Sequence, residues 1–582
     1  MYFFNLTNTK RGGKMKNFKR FLTAILSLAI ILSISISCFG VIFVPVIQPV
    51  EGLPAYTLNE EYVKQTKSYL QTAKNYTINN KDVEASVEWT NFNLAYYEVA
   101  SQANVAFVLY ASDASNQTYK NNYKFASEAY NEIYSSYMLA LQDIYKAEGR
   151  DGFLSSLSDD DLNRILKYSQ DIETLENQVN DLQIEYAEIS DEQFNEKTVQ
   201  IYKQIVEVNN QIAIAYGFEN YYEYASDYVY GRDYSNQELQ EFRLNVGAKL
   251  PAIITQLKKD VNDAKEKLAE IEVKNLDKLL SNPYNSTEVN YWDKYVESYG
   301  SGEVKNDLSH AFKNNNVLFG NGANSRQMAF TAYMPAYNKS FCYFGPKYQD
   351  AFTVAHEIGH YFAGMYVSQG SASMDLNETH SQCNEMLLLE YLSSELNATS
   401  FKALELSKLS SILSTVVVST IVDNFEYYVY THVEEIKNYT AQDFDNKMNE
   451  ICNNYGGRTF VDTVVIDINR YWRLVVAEQP LYYISYATSG VASISLYVEA
   501  DSSRAGARSI YVSLIKQHLE DKGFEANLTN AGLVSPFKKD AFNRIETFLL
   551  GNKVDEPSQS EQESSIEQES SSQSEQESSM AA

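Results

Sequence analysis

Three features of the 582-residue sequence predict a mostly α-helical fold with a small β element. No proline occurs between Pro54 and Pro251, and only Gly149, Gly152, Gly217, Gly231 and Gly247 interrupt that stretch, which leaves roughly 200 residues almost free of helix breakers. Ile172, Leu175, Val179, Leu182, Tyr186 and Ile189 alternate steps of three and four, the seam of a helix packed on a neighbour. Strand character is rare. It is plain only at Phe330–Phe344, where Thr331 and Tyr333, then Phe341 and Tyr343, alternate around a Pro335–Asn338 turn.

Composition excludes several classes. Apolar residues make up 44%, Gly and Pro number only 24 and 10, and there are four Cys, so collagen, a wholly disordered chain and a disulfide-stapled scaffold are out. The formal charge of −28 is the reverse of a nucleic-acid footprint. The first 52 residues are net +5 and the last 32 net −7, so the body between them carries −26. It has no electrostatic reason to bind anionic lipid. The 46 Tyr fall in stripes that read as core and groove packing, not as a cofactor box.

In chain order, 1–52 is a signal peptide or N-terminal membrane anchor. Lys14, Lys16, Lys19 and Arg20 precede an uncharged run from Phe21 to Val50, with Met15 an alternative start. An N-terminal helical region (53–205) follows, with helices expected at 59–76, 87–112, 119–147 and 196–216. The seam helix 172–189 is expected to take its acidic first turn from Ser158 and the three Asp after it. The region 206–550 holds helices at 236–272, 384–396, 401–437 and 505–521 and carries the chemistry. The Ser/Glu/Gln repeat of 551–582 cannot bury enough apolar surface to offset its chain entropy and reads as a disordered tail.

The chemistry lies in AFTVAHEIGHYFAGMYVSQGSASMDLNETHSQCNEMLLLEYL (351–392). His356 and His360, four apart on a helix, put two imidazoles on one face, able to grip one Zn²⁺. Glu357 is placed beside them to act as general base. With six His in the whole chain, a chance H-E-x-x-H is rare. Thr353, Val354, Ala355, Ile358 and Phe362 form the packing surface of that helix. A third ligand is needed. Ala363 and Tyr366 stand where a metzincin has Gly and His, which excludes that class. The next candidates are Glu378, His380 and Glu385. Glu378 shares a face with Ser381, Gln382 and Glu385 and is the ligand read here, with Glu385 orienting a zinc-bound His. His380, two residues off that face, is the alternative. After Cys38, Cys342, Cys383 and Cys452 remain, so at most one disulfide forms, and Cys383 reads as a small buried residue.

HEIGHYF followed by NETHSQCNEMLLLEYL resembles the M3 family of zinc peptidases, the thimet oligopeptidase and oligoendopeptidase F group. In that family a Glu within E-x-x-S-x-x-x-E completes the zinc site, which here matches Glu378, Ser381 and Glu385. The segment NNQIAIAYGFENYYEYASDYVYGRDYS (209–235) resembles an upstream family segment, although Gln211 or a neighbour replaces its Arg. YMPAYNKSFCYFG (333–345) resembles the strand that lines the family's cleft. QPLYYISYATSG (479–490) resembles the Tyr-rich segment facing the scissile bond. The likeness covers about residues 200–500. It implies a helical, neurolysin-like clamshell with one Zn²⁺ per chain. It further implies a monomer that hydrolyses internal bonds of short unstructured peptides and an oxyanion held by Tyr482, Tyr483 or Tyr486. One departure stands out. The family usually has a His near Val475 or Val476, and none occurs here between His432 and His518. A lost oxyanion donor of this kind costs about 10²–10³ in rate.

The expected protein is therefore an exported zinc oligopeptidase, secreted or held at the membrane by its N-terminal segment. The alternative is an exported peptide-binding or surface-interaction protein on the same scaffold with little turnover. A zinc-stabilised structural protein would need a fourth ligand that the sequence does not offer.

Overall fold

The computed structural model describes residues 51–150, 152–187, 194–281, 291–299, 311, 315–366, 373–475, 480–516 and 523–551. The N-terminal segment up to Val50, Cys38 with it, and the Ser/Glu/Gln repeat lie outside the described residues, as do Ile189, Val476 and His518.

Helices α1 (Glu60–Ile78), α2 (Asp82–Ser112) and α3 (Gln117–Glu148) pack against one another. Asn59 and Asn116 cap α1 and α3 by accepting from backbone N–H groups of the first turn. Their shared core is aromatic. Phe92 stacks on Tyr96 at 5.7 Å and Tyr96 on Tyr130 at 5.4 Å, and the Trp89 indole N–H donates to Thr77 Oγ1 at 2.9 Å.

The expected seam helix is two helices, α4 (Asp159–Lys167) and α5 (Gln170–Ala187). Ser158 does cap α4, accepting from the Asp161 N–H. Tyr168 then turns extended (φ −61°, ψ 139°). The Gln142 amide donates to the carbonyls of Ile165 and Tyr168 at 2.8 and 2.6 Å, which satisfies the freed end of α4. A long-range side chain makes that break, which explains why local pattern misses it.

Helix α6 (Phe194–Tyr216) lies along α5. A single helical turn at Tyr221–Tyr224 runs into a π-helical turn at Ala225–Val229. Helix α7 (Asn236–Glu266) opens with a Ser235/Glu238 capping box and ends six residues before the expected boundary at 272, where α8 (Glu270–Leu280) begins. Helix α9 (Tyr291–Glu297) precedes the sheet.

Strands β1 (Val317–Phe319), β2 (Ala329–Met334) and β3 (Lys339–Phe344) form a mixed sheet of order β1-β3-β2. The expected hairpin is present, its turn closed by Asn338 in the left-handed region (φ 45°), and Thr331 pairs with Cys342. β1 was not expected from the sequence. It pairs parallel with β3 through three residues, too short a run to carry a period. One face of the sheet rests on α2 through Val105, Val108, Met334 and Phe341. The other rests on α10 (Ala351–Tyr366), which leads to α11 (Met374–Leu392).

Helix α11 starts ten residues before the expected 384, because Ser373 caps it. It is buried nearly all round, so the face that carries Glu378, Ser381, Gln382 and Glu385 looks into the interior and not to solvent. Helix α12 (Ala398–Thr431) is apolar and long enough to cross a bilayer, but 83% of its most apolar window is buried inside the body, the mark of a core helix. It stops at His432, short of the expected 437. Short helices α13 (Ala441–Cys452), α14 (Gly457–Val464) and α15 (Asn469–Leu474) follow. Then come α16 (Tyr483–Ser502), α17 (Arg504–Lys516), α18 (Phe524–Ala531) and α19 (Lys539–Leu550). Helix α16 is packed between α11 and α12. Cys342, Cys383 and Cys452 are buried free thiols, and no disulfide joins them.

Candidate metal centre

Two buried helices cross closely to make the site. Asp350 caps α10, accepting from the N–H groups of Phe352 and Thr353, both at 3.1 Å. Gly359, between the two histidines, faces α11 so tightly that a Cβ there would stand 2.5 Å from Ser381 Cα and 2.7 Å from the His380 carbonyl oxygen. Only glycine allows this approach. The Asn384 amide, donating to the Ala355 carbonyl at 2.7 Å, ties the same pair of helices together.

The crossing gathers His356, His360 and Glu378, which offer one ligand atom each, all within 4.8 Å of one another. His356 Nε2 lies 3.4 Å from Glu378 Oε2, and His360 Nε2 lies 3.7 Å from Glu378 Oε1. Behind them, Glu385 Oε1 stands 2.7 Å from His356 Nδ1, and Glu385 Oε2 is paired with Lys408 of α12. That contact leaves Nε2 of His356 facing Glu378. Ser381 donates to Glu378 Oε2 at 3.3 Å, and the Tyr482 hydroxyl donates to Glu378 Oε1. The Thr331 hydroxyl of β2 reaches both Glu357 Oε2 and the Glu357 carbonyl at 2.9 Å.

The protonation preferences of the side chains follow from these contacts. Burial opposes a charged His356, but its bonds to Glu378 and Glu385 outweigh that and raise it to about 10. Burial lowers His360 to about 4, against the pull of Glu378. Burial raises Glu357 to about 7, with His356 and Thr331 opposing. Burial also works to raise Glu378, yet the two histidines bring it down to about 2. Glu385 is likewise lowered: burial is overcome by Lys408 and His356.

Of the residues singled out in the sequence, His356, Glu357, His360, Glu378, Glu385 and Tyr482 come together. Tyr486 stands edge-on to Tyr482 at 4.9 Å, and Tyr483 packs against Tyr486 and Tyr471, one step farther back. His380 is fully buried and lies outside the ligand group. Sequence reasoning missed Lys408, the one lysine or arginine between Lys402 and Lys437, a signal that was available. It also missed Thr331 as a partner of Glu357, since nothing local marks a strand hydroxyl as facing a helix.

A buried helix crossing that presents His, His and Glu beside a further carboxylate is an arrangement able to hold a metal ion. More particularly, residues 303–509 match the model of peptidase family M3. The fold is that of the M3 helical clamshell. A putative oligoendopeptidase F from Bacillus anthracis superposes with a TM-score of 0.67 at 17% identity, over 87% of this chain and 99% of that one. PZ peptidase A, solved with an inhibitor, gives 0.66 at 19% identity, over 86% and 99%. A putative peptidase from Chlamydophila abortus gives 0.52 at 15%, over 87% and 98%. Comparison with curated proteins finds no match. The likeness first seen over about 200–500 thus extends, as fold, into the N-terminal helices.

Proposed function

We propose that this chain is an exported zinc endopeptidase that hydrolyses internal bonds of short unstructured peptides. The observation that carries the reading is the convergence of His356, His360 and Glu378 within 4.8 Å, with Glu357 on the same helical turn as His356. The donor set fits one Zn²⁺: two imidazoles, one turned by a carboxylate behind it, and one carboxylate. His356, His360 and Glu378 would hold the ion. Bound there, zinc supplies Lewis acidity toward a water and toward the peptide carbonyl.

The remaining steps belong to side chains. Glu357, kept in place by Thr331, accepts a proton from the attacking water and passes it to the leaving amine. A carboxyl whose metal-free value lies near 7 suits both halves of that transfer. Tyr482, whose single O–H meets Glu378 Oε1 in this arrangement, would release that carboxylate to donate toward the developing oxyanion, with Tyr486 and Tyr483 beside it. A clamshell cleft admits an extended peptide and excludes a folded protein. Export rests on the basic-then-apolar run from Lys14 to Val50, and the −26 charge of the body is compatible with a soluble monomer.

The test is turnover of a mixed internally quenched peptide library by the purified protein beside its Glu357→Gln variant at matched zinc content. Turnover lost in the variant is expected. Zinc bound with no turnover in either form would overturn the enzyme reading in favour of a peptide-binding protein.

A further inference from the structure

Tyr482 follows a residue in an unusual conformation. Leu481 sits in the left-handed region at φ 65°, a region that a branched side chain rarely adopts. Both of its backbone polar groups are held by buried charges. The Leu481 N–H donates to Glu426 Oε1 of α12 at 2.8 Å, and the Arg232 guanidinium donates to the Leu481 carbonyl at 2.7 Å. Arg232 is itself fixed. Its Nε donates to Asp375 Oδ2 at 3.1 Å, and its Nη2 donates to Ser485 Oγ at 3.1 Å. Asp375 stands in the first turn of α11, three residues before Glu378, and also accepts from Ser485, Thr488 and Tyr234 at 3.0, 2.5 and 3.1 Å. The side chains of Arg232 and Asp375 are 2% and 0% exposed.

We infer that Arg232 and Asp375 are positioning residues that hold the strained Leu481 turn, and so set the Tyr482 hydroxyl against the start of α11. A planar five-donor guanidinium is suited to this, because one group reaches a carboxylate, a hydroxyl and a carbonyl at fixed angles. The strain at Leu481 persists because the surroundings over-determine it. The turn is thereby referenced to the helix that carries Glu378, not to the surface. The inference rests on the proposed role of Tyr482 and adds to it the device that aims the hydroxyl.

The experiment is a double-mutant cycle on the full chain with an internally quenched peptide. Variants are Arg232→Lys, Ser485→Ala, Tyr482→Phe and the two pairs with Tyr482→Phe, each with zinc content and melting temperature recorded. Ser485→Ala removes one hydroxyl and keeps the ion pair, so it remains testable if the Arg232 variant fails to fold. Expected is a fall in kcat of about tenfold for Arg232→Lys and about threefold for Ser485→Ala, with KM and zinc content unchanged. In the Tyr482→Phe background both losses should vanish. Equal fold-losses with and without the tyrosine hydroxyl, or a loss that tracks zinc content, would overturn the positioning role. If Tyr482→Phe alone leaves kcat unchanged, the reading of Tyr482 fails, and a kcat loss in the Arg232 variant would then have to act elsewhere.

Discussion

Replacing Glu385 by Gln should weaken zinc binding by about 10–100-fold while leaving the fold intact. The magnitude follows from two contacts. Glu385 Oε1 stands 2.7 Å from His356 Nδ1, a bond with a charged acceptor, and burial leaves the Glu385 side chain only 3% exposed. Exchanging a charged acceptor for a neutral amide gives up about 1–2 kcal/mol, or roughly 5–30-fold. The second contact adds to it. Lys408, 8% exposed at its side chain, would lose its carboxylate and keep its charge beside the site, facing a neutral amide and the Phe352 ring at 4.4 Å. A buried cation left unpaired next to a dication's ligands opposes metal entry. Removing it as well, in Glu385→Gln/Lys408→Met, should therefore recover part of the affinity. Competition with a chromogenic zinc chelator measures both. An unchanged zinc Kd in the single variant, or a double variant weaker than the single, would refute the view that Glu385 tunes His356 and is itself balanced by Lys408.

Other predictions follow from the same geometry. In the metal-free protein His356 keeps its proton up to about 10, so zinc affinity should rise roughly tenfold per pH unit toward that value, read by chelator competition across pH. Because the shift is upward from 6.5, this group stabilises the metal-free fold fully below pH 6.5 and ceases to do so as pH passes about 10. The melting temperature of stripped protein should fall across that window. Gly359→Ala should cost about 1–3 kcal/mol by calorimetry and lower zinc occupancy, since the new Cβ forces α10 from α11. Thr331→Val keeps the shape of the strand and removes the donor to Glu357, so kcat should fall about tenfold at unchanged zinc content.

What was legible in the sequence is what local spacing encodes. The i, i+4 histidines, the Glu378–Ser381–Glu385 face and the hairpin around Asn338 are each fixed by a few neighbouring residues, and the structure places them as expected. The misses share a cause. The break at Tyr168 depends on Gln142, the early start of α11 on a single Ser373 cap, and β1 on pairing with a strand about 25 residues away. Likewise the link from Thr331 to Glu357, and that from Arg232 to Asp375, join residues 26 and 143 apart in sequence. No period or propensity carries such contacts.

Helix α11 shows how an acidic chain can bury its acid. Asp375, Glu378, Glu385 and Glu390 all lie in the interior, where each uncompensated charge costs several kcal/mol. Three of them meet permanent cations: Asp375 meets Arg232, Glu385 meets Lys408, and Glu390 meets Arg504 and Arg508, both at 2.7 Å. Glu378 differs. Its ion-pair partners are His356 and His360, whose charge depends on pH, and its remaining bonds come from hydroxyls of Ser381 and Tyr482. Once His356 gives up its proton, a carboxylate served by two neutral imidazoles is a poor ion pair but a good divalent-metal ligand set, since imidazole nitrogens that would donate protons can donate lone pairs instead. The three permanent pairs hold the helix in place without a metal, so that the fourth carboxylate is positioned before any ion arrives. On this argument the proposed zinc site is preorganised by its neighbours on α11, and stripping the protein of metal should leave the helix and its three ion pairs standing.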